Sequence, residues 1–128
     1  PVMLFVSDKV ALQNVTDNLL SNALKYSPRQ SAVRIEILCE DGGYVLHVAD
    51  QGPGVRPEER ETIFQRFTRG SAQPTAGEKS TGLGLWIVRR TLADLHGRVW
   101  CGPGRGTSGA TFSAFVPLAP PAHEHPAR

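Results

Sequence analysis

The chain has 128 residues, of which 40% are hydrophobic and 20% charged, the balance of an ordinary soluble globular domain. Its net charge of +2 is too small to indicate nucleic acid or a membrane surface as a partner. No apolar run approaches the roughly 20 residues of a membrane-spanning helix. Cys39 and Cys101 lack the CxxC spacing of a metal or redox site, which favours a reduced cytoplasmic protein. We predict one domain over residues 1–118 and a disordered Pro-rich tail over 119–128.

The first part of the chain is predicted to form a strand, a helix and a β-hairpin. Met3–Ser7 has the pattern of a short strand, and the periodic helix after it ends near Ser27, because a proline follows. Residues 32–39 alternate apolar and polar side chains, which indicates a half-buried strand. A turn at 41–43 leads into a second strand at 44–49, its partner.

The second part is predicted to contain two helices around an irregular segment. Residues 58–67 have the pattern of a helix with acidic residues in its first turn, and residues 83–96 are strongly periodic. Residues 68–81 show no periodicity, which is more typical of a functional lid than of padding. Gly97 suits a left-handed cap at the end of the last helix. Two further strands are predicted, at 98–101 and 110–116.

This order of elements predicts an α+β fold, a two-layer sandwich. The five strands would form one mixed, mostly antiparallel sheet, and the three helices would pack on one of its faces. The regular βαβ alternation of a Rossmann domain is absent from the predicted order.

Four polar residues follow helical spacing on the side of the first helix that faces away from its apolar residues: Asn14, Asn18, Asn22 and Lys25. Asn is a poorer helix former than the Glu, Lys and Gln of most solvated faces. Its amide oxygens could ligate a hard cation, beside an ammonium that binds an anion. A polar face with weak helix formers explains the pattern equally well, and this helix alone does not decide between them.

The sequence DQGPG, residues 50–54, directly follows the second predicted strand. Asp, Gly and Pro are turn formers, so this motif by itself is more typical of a turn than of a site. A carboxylate at a strand end can nevertheless accept a hydrogen bond from an exocyclic amine such as that of adenine. Gly52 and Gly54 would leave room for a flat base close to the backbone.

The sequence STGLGL, residues 80–85, opens the last predicted helix. Glycines at a helix start allow free backbone N–H groups to face an anion, assisted by the helix dipole. The motif is neither a Walker loop, since GK[ST] is absent, nor a GxGxxG dinucleotide fingerprint. Its position after a lid and before a clear helix makes it more informative than GxG alone.

The sequence IFQRFTRG, residues 63–70, places two arginines at the entrance of the predicted lid. Its aromatic residues are predicted to belong to the core. Arg66 and Arg69 could reach phosphate oxygens in bidentate fashion, or could simply be solvated.

Together and in this order, the four motifs resemble the ATP-binding catalytic domain of bacterial sensor histidine kinases. NLLSNALKYSP is similar to the N box of that family, DQGPG to its first G box, IFQRFTRG to its F box and STGLGLWIVRR to its second G box. GRGTSGATFSAFVPL resembles the closing strand pair, so the similarity spans roughly residues 7–118. The fold implied is the Bergerat, or GHKL, fold, which DNA gyrase, the mismatch-repair ATPases and a heat-shock chaperone share.

The resemblance implies roles for residues of the first helix. Asn22 would supply the protein ligand to Mg²⁺, with Asn18 as a second candidate, because Mg²⁺ takes its other ligands from water and the triphosphate. Lys25 would pair with a phosphate, and Tyr26 would flank the nucleotide. Asn18, Lys25 and Arg69 would serve catalysis through positioning and charge neutralisation.

The resemblance also implies how the nucleotide is held. Asp50 would bind the adenine amino group, with Thr111 on the neighbouring strand supporting it, and Gly52 and Gly54 would make room. Arg69, and less surely Arg66, would meet the phosphates as the lid closes. The phosphates would further be held by Thr81 and by the backbone N–H groups of Gly82, Leu83, Gly84 and Leu85.

Asn18 stands where the ATP-hydrolysing relatives carry a Glu that activates water, and an amide cannot act as a base. The resemblance therefore implies a domain that holds Mg-ATP while an imidazole on a separate dimerisation domain supplies the nucleophile. A response regulator would be the downstream partner. The isolated domain would be monomeric, and the full-length protein would be anchored in the inner membrane, facing the cytoplasm. The alternatives are a serine kinase of the anti-sigma-factor type, a clamp ATPase and a non-catalytic nucleotide-sensing module.

Overall fold

A computed structural model describes residues 9–66, 83–106 and 108–117. Within these ranges the chain forms two α-helices and four strands, and neither helix is long and apolar enough to cross a membrane. The elements are α1 Lys9–Tyr26, β1 Arg34–Glu40, β2 Gly43–Ala49, α2 Gly84–Asp94, β3 Arg98–Pro103 and β4 Ala110–Pro117.

The four described strands form one sheet in the spatial order β1-β2-β4-β3, and every neighbouring pair is antiparallel. The predicted α+β class is therefore confirmed. The sheet was expected to be mixed and five-stranded, but its described part contains only antiparallel pairs. The predicted strand Met3–Ser7 lies outside the described residues.

Alternation along the two central strands decides which of their residues face the core that the helices cover. In β2, Tyr44, Leu46 and Val48 face the core, and each lies opposite a core residue of β4. Both helices pack on this face, and they bury residues four positions apart, which share one side of an α-helix. The helix residues that are fully buried are Val15, Leu19 and Ala23 of α1 and Val88 and Leu92 of α2.

The predicted helix at 58–67 is present as two short 3-10 helices, Pro57–Glu59 and Thr62–Phe64. Backbone bonds span three residues, from Glu59 N–H to the Arg56 carbonyl and from Gln65 N–H to the Thr62 carbonyl. Ile63 and Phe64 are adjacent and both buried, although adjacent residues of an α-helix point about 100° apart. The tighter turn is consistent with burying both side chains, since a helix this short gains little from its own hydrogen bonds.

The end of α2 differs from the predicted cap by one residue. His96, not Gly97, takes the left-handed conformation, with φ 66°. Gly97 donates its N–H to the Leu92 carbonyl at 2.7 Å, which closes the helix. A β-carbon on Gly97 would collide with the backbone carbonyl of Phe115, so glycine is needed there for close approach of α2 to the sheet.

Candidate functional site

Asp50 is the first residue after β2, at the edge of the sheet where β4 begins. Its backbone N–H donates to the Ala110 carbonyl at 2.9 Å, which continues the β2–β4 ladder by one residue. Its Oδ1 accepts two backbone hydrogen bonds, from Gly52 N–H at 2.9 Å and from Ala110 N–H at 3.2 Å. The carboxylate is thus held in one orientation by groups of two different segments.

This carboxylate is buried, with only 5% of the residue exposed. Burial raises the pKa of Asp50 above its ordinary value of 3.8, and the hydrogen bonds from Gly52 and Ala110 lower the pKa less than burial raises it. Oδ2 accepts no hydrogen bond from any described residue. The carboxylate therefore keeps one oxygen available to accept a hydrogen bond from a ligand.

Two glycines shape the loop that follows Asp50. A β-carbon on Gly52 would lie 2.5 Å from the carbonyl oxygen of Tyr26, so this loop packs directly against the end of α1. Gly54 has φ 84°, and a β-carbon there would lie 2.9 Å from the Gly109 carbonyl oxygen. At both positions the close approach is to protein backbone. The end of α1 and the residue before β4 therefore lie close to the loop that follows Asp50.

Asn18 lies where α1 meets the first turn of α2. Its Nδ2 donates to the carbonyl of Asn14 at 2.7 Å. A β-carbon on Gly84 would lie only 3.1 Å from Asn18 Oδ1, so the absence of a side chain at Gly84 permits this contact. The half-buried side chains of Asn22 and Lys25 form no hydrogen bond or ion pair with a described residue.

Backbone N–H groups in the first turn of α2 have no hydrogen-bond acceptor among the described residues. The first helical bond runs from Ile87 N–H to the Leu83 carbonyl at 2.8 Å, and the turn contains no acidic side chain. The N–H groups of Gly84 and Leu85 donate to no described residue, and the positive end of the helix dipole lies with them. The contact between Asn18 and Gly84 brings this end of α2 against the polar face of α1.

Thr111 lies on β4, where it pairs with Ala49 of β2, the residue before Asp50. Alternation in β4 points Ala110 and Phe112 towards the core, so Thr111 points to the opposite face of the sheet. Its buried hydroxyl has no hydrogen-bond partner among the described residues. The N–H of Ala110 donates to Asp50, and the supporting role of Thr111 stays a prediction. The motif did not predict the contact with Ala110, because a backbone N–H group is present whatever the residue type.

Arg66 stacks on an aromatic ring. Its guanidinium carbon lies 5.1 Å from the centroid of Trp86 on α2, and that of Arg90 lies 6.0 Å from the same centroid. The other predicted phosphate contacts, Arg69, Thr81 and Gly82, lie outside the described residues. The described contacts therefore join the start of α2 to Asn18 of α1, and the loop that follows Asp50 to the end of α1 at Tyr26.

A family model described as the histidine kinase-, DNA gyrase B-, and HSP90-like ATPase matches residues 7–120. Among curated proteins, a Mycobacterium tuberculosis protein named sensor-like histidine kinase SenX3 is 38% identical over 114 residues, covering 88% of this chain and 27% of the relative. The Pseudomonas aeruginosa sensor protein kinase PmrB is 40% identical over 119 residues, covering 91% of this chain and 24% of the relative. The chain thus spans about a quarter of each relative's length.

Solved structures are similar as well. The mycobacterial sensor histidine kinase MprB superimposes with a TM-score of 0.80 at 29% identity, over 91% of this chain and 78% of that one. Full-length ShkA in complex with AMPPNP gives a TM-score of 0.77 at 35% identity, over 95% of this chain and 24% of that one. On its sequence match and its shared fold, the chain belongs to the histidine kinase-, DNA gyrase B-, and HSP90-like ATPase family.

Proposed function

We propose that this chain is the catalytic domain of a sensor histidine kinase, which binds Mg-ATP and transfers the γ-phosphoryl group to a histidine of a separate dimerisation domain. The observation that carries the proposal is the buried carboxylate of Asp50, with one oxygen unpaired among the described residues. The names of the similar proteins SenX3 and PmrB, and the AMPPNP complex of ShkA, support the same assignment.

Asp50 would recognise the base. Its Oδ1 is occupied by the N–H groups of Gly52 and Ala110, so Oδ2 is left to accept a hydrogen bond from the exocyclic amino group of adenine. A buried ionised acceptor favours a donor at that position over the carbonyl of guanine or hypoxanthine, which would face it with a second acceptor. The same pair of N–H groups keeps the carboxylate from rotating away.

The start of α2 and the polar face of α1 would hold the triphosphate. The N–H groups of Gly84 and Leu85 donate to no described residue and lie at the positive end of the helix dipole, an arrangement that binds anions. Lys25 would add a full positive charge from α1. Phosphoryl transfer needs mainly position and charge stabilisation from the protein, which these groups supply.

The residues present fit a magnesium ion. Asn22 offers a half-buried amide that bonds to no described residue, and Mg²⁺ accepts a single amide oxygen when phosphates and water complete its shell. Asn18 is less suited, because its Nδ2 is bound to the Asn14 carbonyl and its Oδ1 faces Gly84. When bound, the ion would neutralise charge on the phosphates; Asn22 would orient it.

The nucleophile would come from outside this chain. Asn18 occupies the position one turn before Asn22, and an amide has no proton-accepting capacity to activate water. We therefore expect slow or no ATP hydrolysis by the domain alone. We further propose that the domain is monomeric, works in the cytoplasm and acts upstream of a response regulator.

The proposal is tested by mixing the domain with the dimerisation domain of its own full-length protein and Mg-ATP labelled at the γ-phosphate. We expect label on the dimerisation domain, in an acid-labile form, and none when the acceptor histidine is replaced by glutamine. Acid-stable label would indicate a serine kinase. Nucleotide binding without any transfer to a folded acceptor domain would indicate a sensing module and would refute the kinase assignment.

A further inference from the structure

A cavity lies between the loop that follows Asp50 and the turn that joins β3 to β4. Its volume is about 470 Å³, and its walls come from two segments. One wall is that loop, with Arg56 and Arg60, and the other is the turn between β3 and β4, with Gly104 and Gly106. The cavity shares Gly54 with the loop assigned to the nucleotide site, but its described lining includes neither Asp50 nor any residue of α1 or α2.

Two guanidinium groups line this cavity, and no carboxylate of a described residue does. The one ion pair within 4 Å between described residues joins Arg105 to Glu36, so neither Arg56 nor Arg60 is neutralised by a described acid. This holds although three glutamates, at 58, 59 and 61, lie beside them in the sequence. Arg60 is half-buried, whereas Arg56 is exposed. A half-buried cation without a counter-ion is unfavourable, and an anion in the cavity would offset that cost at Arg60.

A backbone hydrogen bond orients one of the two arginines. Arg60 is half-buried, and its Nε donates to the Val55 carbonyl at 3.2 Å, which orients the guanidinium and leaves both terminal amino groups free of described partners. Arg56 is the residue before Pro57, which restricts its backbone to the extended conformation observed, φ −60° and ψ 142°. The hydrogen bond to Val55 thus orients Arg60, and Arg56 adds a second guanidinium to the same wall. Two guanidiniums match a dianionic oxyanion better than they match a single carboxylate.

The opposite wall can add neutral donors. The N–H groups of Gly106 and Gly109 donate to no described residue, while Gly104 N–H is bound to the Gly109 carbonyl at 3.1 Å and fixes the turn. The cavity lies within the range of roughly 300–1,000 Å³ that small organic ligands occupy, so it is larger than one oxyanion needs.

From these observations we propose that the cavity between the loop of Arg56 and Arg60 and the β3–β4 turn binds a small organic phosphate monoester. The two guanidiniums would hold the phosphate group, and the rest of the cavity would take the organic part. The inference can be tested apart from the nucleotide site, because neither Arg56 nor Arg60 has a proposed role there.

Amide and guanidinium NMR signals can follow binding of phenyl phosphate to the ¹⁵N-labelled protein, with Mg-AMPPNP present in excess. We expect saturable shifts at the amides of Gly106 and Gly109 and at the Nε–H of Arg60, and tighter binding than for inorganic phosphate. Arg56→Gln and Arg60→Gln should each weaken binding about tenfold, the loss of one charged hydrogen-bonding partner. Arg29→Gln, at an exposed loop arginine away from the cavity, should leave it unchanged.

Three results would overturn the inference: no saturable shift at these signals, equal binding by Arg56→Gln, or shifts that Mg-AMPPNP abolishes. Arg56→Gln is the decisive variant, because its exposed side chain makes no hydrogen bond within the described residues and its loss should not unfold the protein. Failure of AMPPNP to shift the first-turn amides of α2 would instead count against the proposed kinase function, and the phosphate titration would still be read from the arginine variants.

Discussion

Replacing Asp50 with Asn changes one atom of the proposed adenine contact and keeps the shape of the side chain. The amide carbonyl can still accept from Gly52 and Ala110, as Oδ1 does now. In place of Oδ2 stands an NH₂ group, which would face the adenine amino group as donor against donor. A hydrogen bond to a charged group contributes about 1.5–3 kcal/mol, so ATP affinity should fall about 10- to 150-fold.

The same variant should not lose stability, and the direction of the Asp50 pKa explains why. Burial raises that pKa above 3.8, so the folded state holds the proton more tightly than the unfolded state does. The free energy of unfolding therefore falls as the pH rises from about 3.8 through the raised pKa of Asp50. At neutral pH, burial of the charged carboxylate reduces the stability of the fold. A neutral Asn avoids that cost, and we expect a Tm at pH 7 equal to or above that of the wild type.

Calorimetric titration with Mg-ATP and with Mg-ITP measures the affinities, and thermal melting measures stability. ITP has a carbonyl in place of the amino group, so Asp50→Asn should bind ITP relatively better than the wild type does. Asp41→Asn removes the same charge from the exposed β1–β2 turn and serves as the matched control. A folded Asp50→Asn variant with unchanged ATP affinity would refute the adenine assignment.

Further predictions concern the metal, the helix contact and the thiols. Asn22→Ala should abolish phosphoryl transfer to the dimerisation domain, measured by label incorporation, because the proposed magnesium ligand is lost. Gly84→Ala should weaken Mg-nucleotide binding in calorimetry, since its methyl would lie 3.1 Å from Asn18 Oδ1, although Ala favours a helix by about 1 kcal/mol. Cys101 should react far more slowly with iodoacetamide than exposed Cys39. Burial raises the pKa of the Cys101 thiol from 9.0 to about 12, which lowers the thiolate fraction of Cys101 about a thousandfold.

Each of these predictions has a control within the chain. Asn14→Ala changes an exposed side chain on the same face of α1 and should leave transfer intact. A β-carbon on Gly102 would meet nothing within 4 Å, so Gly102→Ala should leave nucleotide affinity unchanged. Equal alkylation of both thiols, located by peptide mass spectrometry in the folded protein, would contradict the burial of Cys101.

Residue patterns within one element were enough to predict much of this protein. The apolar spacing of α1 and α2, the alternation in β2 and the position of Asp50 at the end of a strand are all read between near neighbours in the chain. Strand β1 was also predicted, but its predicted half-burial is wrong, because Ile35 and Ile37 are each 49% exposed. Each records a periodicity that the backbone of the element itself imposes, so no knowledge of distant contacts is needed.

Contacts between distant segments decided the rest. Residues 57–64 form two 3-10 helices with Ile63 and Phe64 both in the core, and Arg66 meets Trp86. Gly97 is required by the Phe115 carbonyl rather than by its own φ. Asp50 accepts a hydrogen bond from the N–H of Ala110, sixty positions away, a contact that the motif did not predict. Backbone donors and acceptors are the same atoms in nearly every residue, so a motif does not reveal which of them meet. Packing partners come from segments far apart in the chain, so only the folded structure shows them.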